Sequence, residues 1–358
     1  VREFGGIKIG FVGLLLPETK QTSSMDETLT VTDYCSTAKI IVKEMRKKAK
    51  VNAVVGLTHL SMAQDKNLAK CADFDLILGG HEHTLLQSSS NGTPIFKMTA
   101  DSRELGKFNL NFDAKTKRLE SFDWEIIPVT DRIADAPEFA PVMEKYRGLL
   151  EKLAERVGAT TERLDALSIS SRTMETNIGN FIADSYRNAG QADIGFVNGG
   201  SIRAELVYEP GVLTKRDVLS ILPFNNPIVK VELTGKLLKQ ILEHSVARSG
   251  PGEDGEPGRF PQVSGLKFSY DPKKPAGSRV VAVTVGGSPL DETNTYTLAT
   301  SDFLVSRGGD GYTMFKDAKV VSSAANAPKD SDAFEAAIRN AQNSTISPVV
   351  EGRIVRVN

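Results

Sequence analysis

The sequence predicts an α/β and α+β fold built from two domains. Its 358 residues are about twice the length of a common domain. Near the N-terminus, short apolar runs alternate with amphipathic stretches, a pattern typical of a parallel sheet with helical crossovers. A long amphipathic stretch over 137–157 then separates two dissimilar halves and is predicted to be a helix. We therefore expect one domain over 1–130, an interdomain linker helix over 131–158 and a second domain over 159–358.

The elements of the N-terminal domain are predicted from the period of their apolar residues. Strands that are covered on both faces appear as nearly continuous apolar runs, whereas helices repeat every three or four residues. The predicted strands are 7–16, 53–57 and 74–78, and the predicted helices are 33–49 and 62–72. From 94 to 128 the pattern changes to that of a β-hairpin with its turn near 114–117.

The second half alternates in the same way after the linker helix. The apolar face of that helix is predicted to comprise Val142, Tyr146, Leu149, Leu150, Leu153 and Val157. Beyond it we predict helices over 177–188, 215–221, 235–247 and 331–341, and strands over 194–198 and 228–233. The run 250–258 is rich in glycine and proline and is predicted to be a surface loop.

Composition excludes two broad classes of protein. The chain has 44 Lys and Arg against 45 Asp and Glu, and a net charge of −1 does not suit a general nucleic-acid binder, which needs a basic surface. No stretch approaches the roughly 18 apolar residues that would predict a membrane span. The two cysteines, Cys35 and Cys71, can form at most one disulfide, and they leave the redox compartment open.

Three of the four histidines lie close together in the sequence. His59 follows the second predicted strand, and His81 follows the third across two glycines, with His83 just beyond. If these strands are parallel, the imidazoles meet at the carboxyl edge of the sheet, where open α/β sheets bind ligands. Three imidazoles can hold one zinc ion with a water in the fourth position. The pattern therefore predicts a metal site, with three ordinary loop histidines as the alternative.

The same residues resemble the closing motifs of the calcineurin-like metallophosphoesterases, namely Thr58-His59 and Gly79-Gly80-His81-Glu82-His83-Thr84. The resemblance implies that His59 and His81 bind one of two metal ions, of zinc or manganese type, and that His83 binds the other. None of the family's earlier motifs, Asp-x-His, Gly-Asp and Gly-Asn-His, precedes Thr58. The family's bridging aspartate and catalytic histidine therefore have no counterpart, so no catalytic residue is assigned. We expect a chain truncated at its N-terminus that binds at most one ion and is inactive alone.

Residues 160–358 resemble the 5′-nucleotidase C-terminal domain. The matching segments, in order, are Glu175–Asn180, Asn198–Ala204, Leu222–Asn226, Phe303 and Gly308–Tyr312. The resemblance implies that Phe224 and Phe303 sandwich a nucleotide base, although Phe303 is equally consistent with core packing. It further implies that Arg172 and Arg203 bind phosphate, Asn198 the base or ribose, and Asp310 the ribose hydroxyls.

Together the two resemblances predict a metal-dependent hydrolase of nucleoside 5′-monophosphates, acting in nucleotide catabolism. One alternative is a nucleotide-binding module without catalytic activity, and another is a relative that acts on UDP-sugars or 2′,3′-cyclic nucleotides. The expected partner is a small nucleotide rather than a nucleic acid, and the oligomeric state is left open. By family, the expected location is extracellular, periplasmic or at the cell surface.

Overall fold

A computed structural model describes residues 1–23, 25–26, 28–250, 258–322 and 324–357. Most of the predicted loop at 250–258 thus lies outside the described residues. The chain forms two compact units, Val1–Pro137 and Glu138–Asn358. No helix in the described ranges combines the length and the apolar character that crossing a bilayer requires.

The N-terminal unit contains a six-stranded sheet and a separate two-stranded hairpin. Its strands are β1 (Arg2–Phe4), β2 (Ile7–Leu15), β3 (Ala53–His59), β4 (Leu76–Gly79), β5 (Leu86–Ser90), β6 (Thr93–Lys97), β7 (Glu104–Phe112) and β8 (Leu119–Pro128), and its helices are α1 (Thr19–Thr22), α2 (Tyr34–Glu44) and α3 (Met62–Cys71). The sheet order is β1-β2-β3-β4-β6-β5, and β2, β3, β4 and β6 run parallel. The predicted parallel α/β arrangement is confirmed.

Helices α2 and α3 cover one face of this sheet, and the β7–β8 hairpin covers part of the other. Asp33 caps α2 by accepting from the Ser36 amide, and Ser61 forms a capping box with Gln64 at the start of α3. On the hairpin side, Trp124 packs against Phe96 with ring centroids 4.8 Å apart. The two helices are also joined covalently by a disulfide that pairs Cys35 with Cys71.

The C-terminal unit contains the remaining elements. Its strands are β9 (Arg156–Thr160), β10 (Leu164–Asp165), β11 (Ile194–Asn198), β12 (Val207–Tyr208), β13 (Gly211–Thr214), β14 (Ile228–Thr234), β15 (Pro261–Ser264), β16 (Leu266–Tyr270), β17 (Val280–Val285), β18 (Ser288–Pro289), β19 (Thr295–Ser301), β20 (Lys319–Val320), β21 (Thr345–Ile346) and β22 (Ile354–Arg356). Its helices are α4 (Ala140–Leu153), α5 (Ser168–Ser171), α6 (Asn177–Gly190), α7 (Lys215–Ile221), α8 (Gly235–Ser245), α9 (Asp302–Arg307) and α10 (Asp330–Asn340).

A mixed sheet of order β15-β11-β19-β14-β20 forms the centre of this unit. Successive strand residues point to opposite faces, so Phe196 and Val197 belong to different cores. The core on the Val197 side is filled by α6 and α10, and the core on the Phe196 side is filled by α8. Both faces of the sheet are therefore buried.

The predicted helix over 137–157 is wrong at its C-terminal end. The helix α4 ends at Leu153, and Val157 lies instead in β9, where it is buried in the core of the C-terminal unit. Strand β9 pairs with both β13 and β21, which are distant in sequence. Val157 therefore adopts a strand conformation because of these distant pairings, although the local spacing of apolar residues predicts a helix. Val142 and Tyr146 on the predicted face are exposed.

Candidate functional site

In the N-terminal unit, the histidines lie at the carboxyl edge of two neighbouring parallel strands. The register pairs Thr58 of β3 with Gly79 of β4, so His59 and His81 leave the sheet at the same edge. Their rings meet edge to face with centroids 5.4 Å apart. His81 and His83 have φ values of 89° and 58°, in the left-handed region that is uncommon outside glycine. The predicted meeting of His59 and His81 at one edge is therefore observed.

These residues fit a metal ion only in part. Two adjacent imidazoles are a donor pair of the right chemistry for a zinc-type ion. However, nowhere in the part of the chain that the structure describes are three or more His, Cys, Asp or Glu side chains grouped so as to hold an ion. The described arrangement does not bring His83 into one site with His59 and His81.

In the C-terminal unit, a second cluster forms around Asp310. Asn198, the last residue of β11, donates from Nδ2 to Asp310 Oδ2 at 2.6 Å, and Ser201 Oγ donates to Asn198 Oδ1 at 2.6 Å. Asp310 itself adopts a φ of 53° in a short 3-10 turn between glycines. The amide of Asn198 is thus fixed by one neighbour while it orients the carboxylate of another.

Three arginines act electrostatically on this carboxyl group. Desolvation raises the pKa of Asp310, whereas the Asn198 hydrogen bond and the charges of Arg172, Arg259 and Arg203 oppose the rise. Arg172 is only 8% exposed, and its Nε has no hydrogen-bond partner among the described residues. Three guanidinium groups beside one carboxylate leave excess positive charge, which suits an anionic group such as phosphate.

Arg259 is the member of this cluster that the sequence analysis missed. It lies beside the Asp310 turn, and its carbonyl accepts from the Tyr312 hydroxyl at 2.6 Å. The pairing of β15 with β11 brings it there, because Gly199 and Gly200 donate to the carbonyls of Phe260 and Gly258. No spacing in the sequence signals this contact.

The two predicted base-stacking residues differ in their environment. Phe224, after α7, is 54% exposed, and the Arg203 guanidinium lies over its ring at 5.8 Å from the centroid. Phe303 is half-buried in α9 and packs against the core on the α8 side. Its ring lies so close to Gly309 that a Cβ there would come within 2.2 Å of a ring carbon. Phe303 thus makes packing contacts while it remains partly exposed, and Phe224 offers its aromatic surface to solvent.

The loop that carries Phe224 is fastened to the start of α10. Asn225, at a φ of 53°, accepts a hydrogen bond from Ser331 Oγ at 2.7 Å, and the Asp330 amide donates to Asn226 O at 2.9 Å. Asp330 is fully buried, and desolvation raises its pKa to about 6. The loop is therefore anchored directly after the residue that carries the exposed aromatic ring.

Asp330→Asn should stabilise the C-terminal unit at pH 8 by about 1–2 kcal/mol and have little effect at pH 4. An aspartate whose folded pKa lies above its unfolded pKa costs stability once it ionises. Its cost is absent below the unfolded value near 4, grows between about pH 4 and pH 6, and is complete above that window. Urea unfolding at both pH values would measure the difference.

The control is Asp332→Asn, because Asp332 is an exposed carboxylate in the same helical turn. It should change stability little at either pH. An increase in the free energy of unfolding of Asp330→Asn that is equal at pH 4 and pH 8 would contradict the raised pKa of Asp330.

Known nucleotide phosphoesterases and 5′-nucleotidases are similar to this chain across both of its units. The profile described as the 5′-nucleotidase C-terminal domain matches residues 156–317. The trifunctional nucleotide phosphoesterase protein YfkN of Bacillus subtilis is 33% identical over 98% of this chain, which covers 25% of that protein. Bovine 5′-nucleotidase is 28% identical over 97% of the chain, which covers 66% of its length.

A solved structure extends the match to the fold of the whole chain. The 5′-nucleotidase precursor of Thermus thermophilus has a TM-score of 0.87 and 29% identity, with 99% of this chain and 73% of that chain covered. The chain thus spans a quarter of the Bacillus protein and about two thirds of the bovine one. The matched segments include the histidine edge and the Asp310 cluster. Over nearly its whole length, the chain is therefore similar to proteins of the 5′-nucleotidase family.

Proposed function

We propose that the protein acts in the hydrolysis of nucleoside 5′-monophosphates, with the nucleotide held by the C-terminal unit. The observation that carries the proposal is the cluster of Arg172, Arg203 and Arg259 around the Asn198–Asp310 pair. A nucleotide combines an anionic phosphate, a diol and a flat base. The cluster and the exposed ring of Phe224 supply a complement to each of these three groups.

Each residue has a distinct proposed role. Arg172 and Arg203 bind the phosphate, because the planar guanidinium matches phosphate oxygens in a bidentate manner. Asp310 accepts hydrogen bonds from the ribose hydroxyls, and Asn198 bonds the base or the ribose. Phe224 stacks on the base, with Phe303 as the second stacking residue. The domain boundaries that we propose stay at 1–130, 131–158 and 159–358.

The N-terminal unit is proposed to contribute the metal-binding part. His59 and His81 would hold a divalent ion of zinc or manganese type, and His83 would be a ligand of the second ion that is expected in a complete family site. Such an ion, when bound, supplies charge neutralisation and an activated water for phosphoester hydrolysis. We propose that residues 1–358 bind at most one ion and do not hydrolyse AMP on their own.

Phe224→Ala should weaken the binding of both adenosine and AMP by about 1–3 kcal/mol, the value of one stacked base. Its stability should change little, because the ring is exposed. Isothermal titration with each ligand would measure the loss. Arg203→Ala is the matched variant, since Arg203 lies over the same ring but is assigned to phosphate. It should weaken the binding of AMP far more than the binding of adenosine. Equal losses of affinity for the two ligands would show that Arg203 does not bind the phosphate.

A nucleotide-binding module without catalytic activity is the second candidate. It is favoured by the incomplete grouping of metal ligands in the described part of the chain. Metal analysis after equilibration with Zn²⁺ or Mn²⁺, together with an AMP hydrolysis assay, separates the two. Two ions per chain and AMP turnover that His81→Ala abolishes would establish a self-sufficient enzyme. One ion or none, with AMP binding retained, would establish a binding module in this polypeptide.

The disulfide bears on where the protein functions. Disulfides persist in oxidising compartments and are rare in the cytosol of mesophiles. The Cys35–Cys71 pair therefore supports an extracellular, periplasmic or cell-surface location, which we propose for this protein.

A further inference from the structure

A buried lysine lies directly beneath the histidine edge of the N-terminal unit. Lys97, the last residue of β6, has a side chain that is only 1% exposed. Its ammonium donates to Leu60 O at 2.6 Å, Gly80 O at 3.0 Å and Glu82 Oε2 at 2.6 Å. These three hydrogen bonds use all three of its protons. A fourth contact, with Asp65 Oδ2 at 2.9 Å, completes an ion cluster.

The acceptors of Lys97 belong to the two segments that carry the histidines. Leu60 directly follows His59, and Gly80 directly precedes His81. Glu82 lies between His81 and His83, so its carboxylate ties the middle of the second segment to the same ammonium. A single charged group thus connects the end of β3 with the end of β4.

Two further hydrogen bonds close this connection. The other oxygen of Glu82, Oε1, accepts from the Met62 amide at the start of α3. The side chain of Thr58 donates to Asp65 Oδ1 at 2.7 Å. Glu82 and Asp65, the two carboxylates that contact Lys97, therefore also bond to Met62 and Thr58, which lie close to His59 in the sequence. More than one hydrogen bond thus joins the two segments.

Stability alone does not account for such a cluster. Placing charges in a protein interior is costly, and an apolar residue of similar volume usually serves stability as well or better. Position 97 follows Ile95 and Phe96, both buried apolar residues, so a methionine would suit this strand. What an apolar residue could not provide is a bond to three acceptors on two separate segments. The cluster therefore points to a geometric role.

We propose that Lys97 is a positioning residue, whose ammonium holds the His59 segment and the His81–His83 segment in a fixed mutual arrangement. This inference rests on the proposed metal-binding role of the histidines. In this role Lys97 acts through its hydrogen bonds to Leu60, Gly80 and Glu82.

The test compares Lys97→Met and Glu82→Gln with Lys107→Met as the control. Lys107 is an exposed lysine that pairs with Glu125 on the β7–β8 hairpin, so its replacement removes one charge without touching the network. Glu82→Gln keeps the shape of the side chain and an acceptor for the Met62 amide. It breaks the ion pair between Lys97 and Glu82 by changing Glu82, whose side chain is 20% exposed. Because this is a milder change than Lys97→Met, it provides the test if Lys97→Met fails to fold.

Two measurements are made on metal-free protein. The first is the NMR spectrum of ¹³C-labelled histidine, and the second is hydrogen exchange at the Met62 amide. We expect the His59 signal to move in both test variants, while the signal of His244 in the other unit stays in place. We expect Met62 exchange to rise about tenfold or more in Lys97→Met, because Glu82 loses the cation that holds it. Folded variants in which His59 and Met62 behave as in Lys107→Met would overturn the proposal.

A third measurement, titration with Zn²⁺ alone, separates this inference from the proposed function. If both hold, Zn²⁺ affinity falls about tenfold or more in the test variants and is unchanged in the control. If the wild-type chain binds no Zn²⁺ but the His59 signal still moves, the positioning role stands and the metal role fails. If the wild-type chain binds Zn²⁺ and both test variants bind it equally well with an unmoved His59 signal, the positioning role fails alone.

Discussion

Asp310→Asn should lower the affinity of the protein for adenosine by about 100-fold, which corresponds to about 3 kcal/mol. The proposed partners of the carboxylate are the two ribose hydroxyls, and each hydrogen bond to a charged group is worth about 1.5–3 kcal/mol. Asparagine offers one oxygen in place of two and carries no charge. Its amide would also meet the Asn198 amide, which now donates to Asp310 at 2.6 Å.

The ligand itself supplies the control for this prediction. 2′,3′-Dideoxyadenosine keeps the base but has neither hydroxyl, so its weaker binding should change little between the wild-type protein and Asp310→Asn. Isothermal titration with both nucleosides gives the comparison, and urea unfolding checks that the variant is folded. An equal loss for the two ligands would mean that Asp310 acts on the shape of the site rather than on the ribose.

The sequence predicts best those elements whose signals are local. The strand Ile194–Asn198 and the helix Lys215–Ile221 have the predicted bounds. The first is a short apolar run, and the second begins at Thr214 with a capping box that Asp217 completes. Such signals depend on a few neighbouring residues, so they do not require knowledge of the rest of the fold.

The elements that the sequence misses depend on distant partners. Val157 fits the period of the preceding helix, yet its backbone pairs with strands far along the chain. Here tertiary pairing overrides the local pattern.

The candidate sites show the same division. The edge shared by His59 and His81 follows from the parallel order of two strands, which a βαβ pattern predicts. The ion cluster around Lys97 could not be anticipated, because a lysine after Pro-Ile-Phe is as consistent with an exposed strand end as with a buried one. Arg259 reaches the Asp310 cluster only through the antiparallel pairing of β15 with β11. Sequence spacing therefore identifies residues near strand ends but not those that a non-local contact brings beside them.

Serine at both Cys35 and Cys71 should lower the free energy of unfolding of the N-terminal unit by about 2–4 kcal/mol. The disulfide closes a loop with a sequence separation of 36, and removing it lets the unfolded chain explore more conformations. Both cysteines are only half-buried, so the serines cost little in lost packing. The loss should arise almost entirely from the released loop.

The location of the disulfide makes the effect specific to one unit. It joins α2 to the last residue of α3, and α3 begins just after the His59 segment. Hydrogen exchange under native conditions should therefore quicken in α2, α3 and the adjoining strands, while α6 and β11 of the C-terminal unit keep their protection. Wild-type protein treated with dithiothreitol is the matched control and should behave like the double serine variant. A loss below about 0.5 kcal/mol, or one spread equally over both units, would show that the bond does not constrain the N-terminal fold.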